Sequence, residues 1–299
     1  MQALLSSQHN IVGITEDAPR VAPSKIKKII KDIISKFNPN SRNLLQLCEN
    51  KNVPYFFLTK SQDRYESWVR SKSPDLIVVY SMSHLLKENI ISIPKYGVIN
   101  MHPSLLPIYR GPNPLFWMYY NMEKKGGITI HYIDKGEDTG EIIFQESYDI
   151  PLGSNGPDLI HKVIITIGIP LLLDAIASIE KGNAPRIFQP AKSPTLRASN
   201  ISPEEQKNFI DWEKWYVERI WHLLRGYANS MDLIEPPRGF YYGQMWQVGQ
   251  YEKCDTSKLK KGIVQQCSTG YFIAGSDGII QLSIRYRLKD MVSFLLSKL

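Results

Sequence analysis

Apolar residues along the first half of this chain follow two spacings, and the two alternate. Segments rich in β-branched and aromatic residues, typical of strands, are separated by stretches whose apolar positions recur every three or four residues, typical of helices. Strands that alternate with helices predict βαβ units, and therefore a doubly wound, mostly parallel α/β sheet. The strand segments are residues 11–16, 53–58, 75–81, 96–102 and 128–133.

The clearest helical stretch begins at Ser24 and ends before Asn38-Pro39, and its polar face is rich in lysine. That face could meet phosphate groups or RNA, but a solvated helix face explains the same charges without any ligand, and we favour that interpretation. The formal net charge of the whole chain is +7. It favours anionic partners such as nucleotides, polyglutamylated folate or RNA, without choosing among them.

Composition changes near residue 185, where prolines become frequent and regular spacing is lost. We therefore predict a first domain over residues 1–188, a linker over 189–207 and a second domain over 208–299. The second domain opens with an amphipathic helix over residues 213–225, followed by short strand segments separated by glycine, proline and Asp-Gly turns. This pattern predicts a small C-terminal β-barrel of the OB type.

Composition and motifs argue against several kinds of site. The three cysteines form no CxxC pair and the six histidines are scattered, so we expect no disulfide framework and no metal. Neither GxGxxG nor GxxxxGK[ST] occurs, which argues against a nucleotide cofactor held by such a loop. The longest apolar stretch, residues 163–176, is interrupted by Pro170 and contains Asp174, so we interpret it as a buried helix and expect no membrane partner. The N-terminus shows no secretory signal, and we expect a cytoplasmic protein.

Polar side chains follow two of the predicted strands. Asn100 and His102 lie at the carboxyl end of one strand and, two residues apart, point to the same face. Pro103 and Pro107 stiffen the loop that follows. Asp138 comes after the strand at residues 128–133, and it can return to the histidine only if the two strands are neighbours in the sheet.

These three residue types suit acyl transfer to an amine. The Asn100 amide can stabilise an oxyanion, His102 can move a proton near neutral pH, and Asp138 favours the charged form of the histidine. Ser104 is the one nearby hydroxyl, and its spacing from His102 does not match a nucleophile elbow. We therefore favour direct transfer over a covalent intermediate. From the residues alone, a purely structural role for the histidine and aspartate stays open.

The stretch reads Asn-Met-His-Pro-Ser-Leu-Leu-Pro at 100–107, then Arg110-Gly111 and Pro114, then Asp-Lys-Gly-Glu-Asp-Thr-Gly at 134–140. This resembles the folate-dependent formyltransferase family, whose pattern is Asn-x-His-x-Ser-Leu-Leu-Pro, Arg-Gly, Pro and a late Asp-x-Gly-x-Asp-x-Gly loop. The family includes enzymes that formylate methionyl-tRNA, glycinamide ribonucleotide and amino sugars on nucleotide carriers. The likeness covers about residues 3–190 and implies a Rossmann-like catalytic domain.

The resemblance also implies roles for residues. It makes Asn100, His102 and Asp138 catalytic, and it names 10-formyl-tetrahydrofolate as the formyl donor, with no metal. The residues implied to line the donor pocket are Met82, Ser83, His84, Leu85, Leu86, Ile133, Asp134 and Gly136. Those implied on the acceptor side are Ser104, Tyr109, Arg110, Gly111, Trp117 and His131, the last with a supporting role.

Two features differ from the family pattern. The family begins with a strand and a glycine turn, whereas this chain starts inside the helix that follows them, so we expect the first strand to be missing. The tRNA enzymes carry a basic, glycine- and proline-rich loop where this chain has the lysine-bearing helix between residues 17 and 52. The C-terminal region resembles the barrel of the tRNA and amino-sugar enzymes, which argues against the purine-pathway substrate.

Four functions follow from these features. The first is formylation of a small amine, an amino sugar on a nucleotide carrier above all. The second is formylation of methionyl-tRNA, which would weaken steeply with salt. Hydrolysis of the formyl group by water and an inactive folate or RNA binder are the other two. The oligomeric state stays open.

Overall fold

The computed structural model describes residues 2–17, 44–58, 63–82, 84–227, 233–235, 237 and 244–286. The lysine-bearing helix predicted from Ser24 lies outside these residues, as does Ser83. The chain divides into two compact units that we treat separately. The first unit comprises residues 1–110, 127–146 and 164–196, and the second comprises residues 111–126, 147–163 and 197–299.

The strands in the first half of the chain form two sheets. Strands β1 (Ile14–Asp17) and β2 (Tyr55–Leu58) pair in parallel as a two-stranded sheet. A four-stranded sheet has the order β3-β4-β5-β6. Its strands are β3 (Ile77–Tyr80), β4 (Val98–His102), β5 (Lys125–Tyr132) and β6 (Ile142–Asp149). The predicted strands are thus present, with bounds that move by up to three residues.

The four-stranded sheet is mixed, and this differs from the mostly parallel sheet that the alternation predicts. Strands β3 and β4 are parallel, with Ile77 opposite Val98. Strands β4 and β5 are antiparallel, with Asn100 opposite His131. A parallel pair needs a crossover that carries the chain back to the starting end of the first strand. The connection from β4 makes no such return, so β5 runs in the opposite direction.

Four helices of the first unit precede β4 in the described residues, and all except the first have buried residues. They are α1 (Gln2–Leu5), α2 (Leu44–Lys51), α3 (Asp63–Lys72) and α4 (Glu88–Ile91). Helix α3 has acidic residues in its first turn and basic residues in its last, as the helix dipole favours. Its Tyr65 and Val69, four residues apart, enter a core shared with β2, β3 and β4. That core contains Leu58, Tyr65, Val69, Val79, Leu86, Ile90 and Val98.

One continuous helical stretch runs over residues 156–180. It comprises α6 (Gly156–Val163), a π-helical turn (Ile164–Gly168) and α7 (Ile169–Glu180). The wider turn lies next to Pro170, which has no N–H for a regular helical bond. Among the described residues, this is the one helix long and apolar enough to cross a membrane, a test that the core helix of a soluble protein also passes. One side of α7 faces inward, since Leu172, Ala175, Ile176 and Ile179 are buried.

The second unit combines helices with an antiparallel sheet. Its helices are α5 (Pro114–Tyr120), α8 (Pro203–Lys207) and α9 (Val217–Tyr227). The sheet has the order β7-β10-β9-β8, with β7 (Gln244–Lys253), β8 (Val264–Cys267), β9 (Gly270–Ala274) and β10 (Gly278–Tyr286). The hairpin predicted at Asp277-Gly278 is present, closed by the Gly275 N–H on the Gly278 carbonyl at 2.9 Å. The predicted apolar side of α9 is buried through Val217, Ile220, Trp221 and Leu224.

Candidate active site

Four polar side chains meet at the antiparallel pair of β4 and β5. Asn100 lies directly opposite His131 in the register, and its Nδ2 is 3.2 Å from the His131 Nε2. The Asp138 carboxylate, in the loop after β5, lies between the two histidines. Its Oδ2 is 3.5 Å from the His102 Nδ1, and its Oδ1 is 3.6 Å from the His131 Nε2. The structure therefore brings together Asn100, His102, His131 and Asp138.

His102 is buried, with 4% of its surface exposed. Its Nε2 is 3.1 Å from the backbone carbonyl of Tyr109, which can only accept, so Nε2 carries a proton. Nδ1 therefore faces the Asp138 carboxylate. Burial lowers the pKa of His102, and the attraction of Asp138 acts against that shift. The result is an imidazole that is neutral at neutral pH but has a carboxylate ready to stabilise its charged form.

His131 fixes the direction of the Asn100 amide. The His131 Nδ1 is 2.8 Å from the carbonyl of Tyr132 and donates to it, which leaves Nε2 as the acceptor for the Asn100 N–H. A histidine that is 1% exposed and held at both nitrogens can orient the amide, but it has no path to a ligand. This contact fits the supporting role implied for His131.

Two residues beside His102 have left-handed backbone conformations. Tyr109 has φ 56° and Asp138 has φ 55°. In residues other than glycine this conformation costs about 1–2 kcal/mol, and it persists where the surroundings impose it. Tyr109 is held by its N–H on the Thr195 Oγ1 at 2.7 Å. With these backbone conformations, the Tyr109 carbonyl and the Asp138 carboxylate both face the His102 imidazole.

The loop over residues 134–140 is closed by its own side chains. The Asp134 Oδ1 accepts from the Gly136 N–H at 2.9 Å and from the Thr139 Oγ1 at 2.6 Å. A Cβ at Gly136 would lie 2.0 Å from the Thr139 hydroxyl, and a Cβ at Gly140 would lie 1.9 Å from the Tyr132 carbonyl. The spacing of aspartates and glycines in this segment is thus required by the packing of the loop.

The loop after β4 is anchored through Thr129. Its hydroxyl donates to the Ser104 carbonyl at 2.6 Å and accepts from the Leu106 N–H at 3.2 Å. The Gln145 amide donates to the same hydroxyl and to the Leu106 carbonyl, both at 2.8 Å. The Leu106–Pro107 peptide bond in this loop is cis. Neither Thr129 nor Gln145 is marked by a sequence motif, since both lie in ordinary strand positions.

The residues predicted to line the donor pocket fall into different surroundings. Met82 and Ile133 are partly buried and pack against the same apolar core. Leu86 is 8% exposed and belongs to that core, whereas Leu85 is 60% exposed. The His84 Nδ1 lies 2.7 Å from the Asp17 carboxylate. Met82 and Ile133 thus offer an apolar wall that a flat ring could contact, and the role of this group in donor binding stays a prediction.

Several residues predicted on the acceptor side are bonded to protein groups. The Ser104 hydroxyl is fully buried and donates to the Ile108 carbonyl at 2.7 Å. Arg110 is 7% exposed and Tyr109 is 3% exposed. In the second unit, Gly111 has φ 120° against the Ala198 backbone, and the Trp117 indole donates to the Ser199 carbonyl at 2.9 Å. These contacts position the loop, and contact with an acceptor stays a prediction for all of them.

Two residues of this neighbourhood were not identified from the sequence. Gln189 and Thr195 lie in the proline-rich stretch interpreted as a linker, yet both bond to the loops that carry the polar cluster. A single glutamine or threonine outside any periodic pattern carries no signal in the sequence. Within the described residues, no group of three or more His, Cys, Asp and Glu is placed to hold a metal ion.

The sequence matches a known protein family and is similar to individual members of it. The family described as Formyl transferase matches residues 27–163. Over 238 residues the chain is 30% identical to the methionyl-tRNA formyltransferase of Pelotomaculum thermopropionicum, covering 77% of this chain and 72% of that protein. The enzyme of the same name from Clostridioides difficile is 37% identical over 184 residues, covering 60% of this chain and 57% of the relative.

A solved structure has a similar fold over nearly the whole chain. It is the N-formyltransferase of Helicobacter canadensis in complex with folinic acid and dTDP-3-aminofucose. The two share 18% sequence identity with a TM-score of 0.58, covering 93% of this chain and 100% of the other. At this identity the likeness concerns the fold alone.

Proposed function

The chain belongs to the formyl transferase family, and from this premise we propose that Asn100, His102 and Asp138 transfer a formyl group to a primary amine. Membership makes the chain a folate-dependent N-formyltransferase with 10-formyl-tetrahydrofolate as donor. The observation that supports the assignment of residues is the convergence of an oriented amide, a buried imidazole and a carboxylate on one strand pair.

Each of the three groups has a separate task. One amide N–H of Asn100 is held by His131, which directs the other toward the negative charge that develops on the formyl oxygen. His102 takes a proton from the attacking amine and returns it to the nitrogen that leaves. Asp138 stabilises the imidazolium while it exists, and burial keeps the imidazole neutral before the reaction. No covalent intermediate on the protein is required.

The finer features of the architecture belong to the same proposal. We propose that residues 1–188 form a doubly wound, Rossmann-like catalytic domain, that residues 189–207 act as a linker, and that residues 208–299 form an OB-like barrel. The antiparallel sheet of β7 to β10 supports the barrel. We also propose a cytoplasmic location, which fits a folate-dependent reaction.

For the acceptor, we propose a small amine, and an amino sugar on a nucleotide carrier first. The support is a likeness in fold to an enzyme crystallised with such a sugar, over 93% of this chain. The sequence relatives that are methionyl-tRNA formyltransferases, together with the net charge of +7, favour methionyl-tRNA as the second candidate. The two differ in salt dependence, because RNA contacts release counterions and weaken as salt rises.

A folate-release assay tests the proposal. Purified protein and 10-formyl-tetrahydrofolate are incubated with a panel of nucleotide-linked amino sugars, with methionyl-tRNA, or with water alone, and His102→Ala protein serves as the control. Release of tetrahydrofolate with one sugar, abolished in the variant, supports the first candidate. Release only with tRNA, falling steeply between 50 and 200 mM salt, supports the second. Release with water alone, or equal release by the variant, contradicts the proposal.

A further inference from the structure

The side-chain amide of Gln189 joins the two loops that carry His102 and Asp138. Its Nε2 donates to the backbone carbonyls of Asp138 at 3.1 Å and Gly140 at 2.6 Å. Its Oε1 accepts from the Arg110 guanidinium, at 2.8 Å from Nη2 and 3.2 Å from Nε. Arg110 follows Tyr109, whose carbonyl bonds to His102. One amide thus connects both sides of the imidazole–carboxylate pair.

This orientation of the amide is the one that satisfies all of its partners. A guanidinium only donates and a carbonyl only accepts, so the oxygen of Gln189 must face Arg110 and its nitrogen must face the loop. Neither a carboxylate nor an aliphatic side chain could do both. Arg110 further donates to the carbonyls of Pro190 at 2.9 Å and Ala191 at 3.2 Å. Arg110 therefore holds the segment that carries Gln189 against the loop after His102. The Gln189 amide is thus already fixed on one side where it bonds to the Asp138 loop on the other.

The Asp138 carboxylate lies in the loop that Gln189 holds. Its oxygens are 3.5 Å from the His102 Nδ1 and 3.6 Å from the His131 Nε2. Its backbone is left-handed, with φ 55°, a conformation that is uncommon in residues other than glycine and that aspartate and asparagine adopt more often than the rest. The two bonds from Gln189 lie at that residue and two positions after it, so they hold the part of the loop that sets the direction of the carboxylate.

On this geometry we propose that Gln189 is a positioning residue that holds the Asp138 carboxylate beside His102. The inference rests on the proposed function, because it assumes that the pair carries out the proton transfer. Gln189 itself does not touch the reacting atoms. Loss of its amide should lower kcat about ten- to hundredfold, the usual effect of misplacing a catalytic group by around 1 Å. KM for the folate should stay within about twofold.

Two variants separate positioning from general destabilisation. Gln189→Glu keeps the size and the bond to Arg110 but turns an oxygen toward the two loop carbonyls, whereas Gln189→Ala removes all the bonds. Gln265→Glu is the matched control, since the Gln265 amide also donates to a backbone carbonyl, that of Lys260 at 2.8 Å, but lies in the second unit. We expect both Gln189 variants to lose kcat and the control to keep it. Full kcat in Gln189→Glu would overturn the inference.

A second readout does not depend on activity. Burial lowers the pKa of His102 most, and the titratable groups that act on it are Asp138, His131 and Glu137, beside the hydrogen bond to the Tyr109 carbonyl. The attraction of Asp138 is the largest influence that raises this pKa. If the carboxylate is released, histidine ring signals followed by NMR should show His102 titrating at lower pH in Gln189→Ala. His222, in the second unit, should titrate as in the wild type. An unchanged His102 titration contradicts the inference about Gln189. If the wild-type protein never releases tetrahydrofolate, the proposed function is contradicted, and the NMR titration still decides whether Gln189 positions Asp138.

Discussion

Because of a buried histidine in the second unit, we expect the free energy of unfolding to fall at acidic pH. His222 is 2% exposed, and its ring stacks on Tyr119 with centroids 4.5 Å apart and planes 6° from parallel. Its Nδ1 accepts the N–H of Gly153 at 2.9 Å, so the bond needs an unprotonated nitrogen. Burial lowers the pKa of His222 from 6.5 to about 4, and the attraction of Glu218 is too weak to prevent it.

The size of the effect follows from this shift. In the unfolded chain His222 binds a proton below about pH 6.5, whereas in the folded protein it does so only near pH 4. Between these values the unfolded state holds more protons, so the free energy of unfolding falls as the pH falls. A gap of roughly 2.5 units, at about 1.4 kcal/mol each, gives a total loss of roughly 3.5 kcal/mol, of which roughly 3 kcal/mol is reached at pH 4 and the rest below it.

Urea unfolding of the wild type and of His222→Asn between pH 7 and pH 4 measures this loss. The asparagine keeps an oxygen acceptor for the Gly153 N–H but cannot be protonated. We expect the wild type to lose roughly 3 kcal/mol more than the variant across this range, because carboxylates contribute equally to both proteins. Parallel loss of stability in the two proteins would refute the account of His222.

Three further predictions concern the site and the core. His102→Ala should lower turnover by on the order of 10² or more while folate binding changes little, as single-turnover kinetics and titration would show; near-normal turnover would reject the assignment. Gly140→Ala should lower both activity and stability, because the added Cβ would lie 1.9 Å from the Tyr132 carbonyl oxygen. Gly182→Ala is the control: it has φ 71° and nothing within 4 Å of the added Cβ, so it should lower stability alone. Tyr148→Phe should stabilise the protein by about 1 kcal/mol in thermal or urea unfolding, because within the described residues its buried hydroxyl has no hydrogen-bond partner.

Much of the first unit could be predicted from local patterns. The strand segments at residues 75–81 and 96–102 contain the apolar runs that are typical of buried parallel strands, and they became β3 and β4. The approach of Asp138 to His102 required β4 and β5 to be neighbours, and the structure pairs them. The direction of β5 could not be predicted from the sequence, because the length of a connection does not determine at which end of the sheet the chain re-enters.

The supporting contacts of the site could not be predicted, because they depend on single side chains far apart in sequence. Gln189 lies 51 residues after Asp138 and 79 after Arg110. It lies in a proline-rich stretch whose composition indicates a linker, and a lone amide there gives no periodic signal. Thr129 lies on a buried strand, where a threonine is as ordinary as a valine. The motifs predict which groups react, and only the folded chain shows what holds those groups in place.

The proposed mechanism therefore combines two requirements that oppose each other. In that mechanism His102 is neutral and shielded from water before the reaction because it is buried, and burial alone would make its charged form costly. Asp138 offsets that cost only while its carboxylate is held near the ring, at 3.5 Å, on a backbone that is strained at this residue. The strain must be balanced by bonds from elsewhere, and Gln189 and Asp134 provide them within the first unit. Substitutions in residues 134–140 or at residue 189 should thus act on the rate of proton transfer, whereas those that alter only the acceptor surface should change KM and leave the titration of His102 where it is.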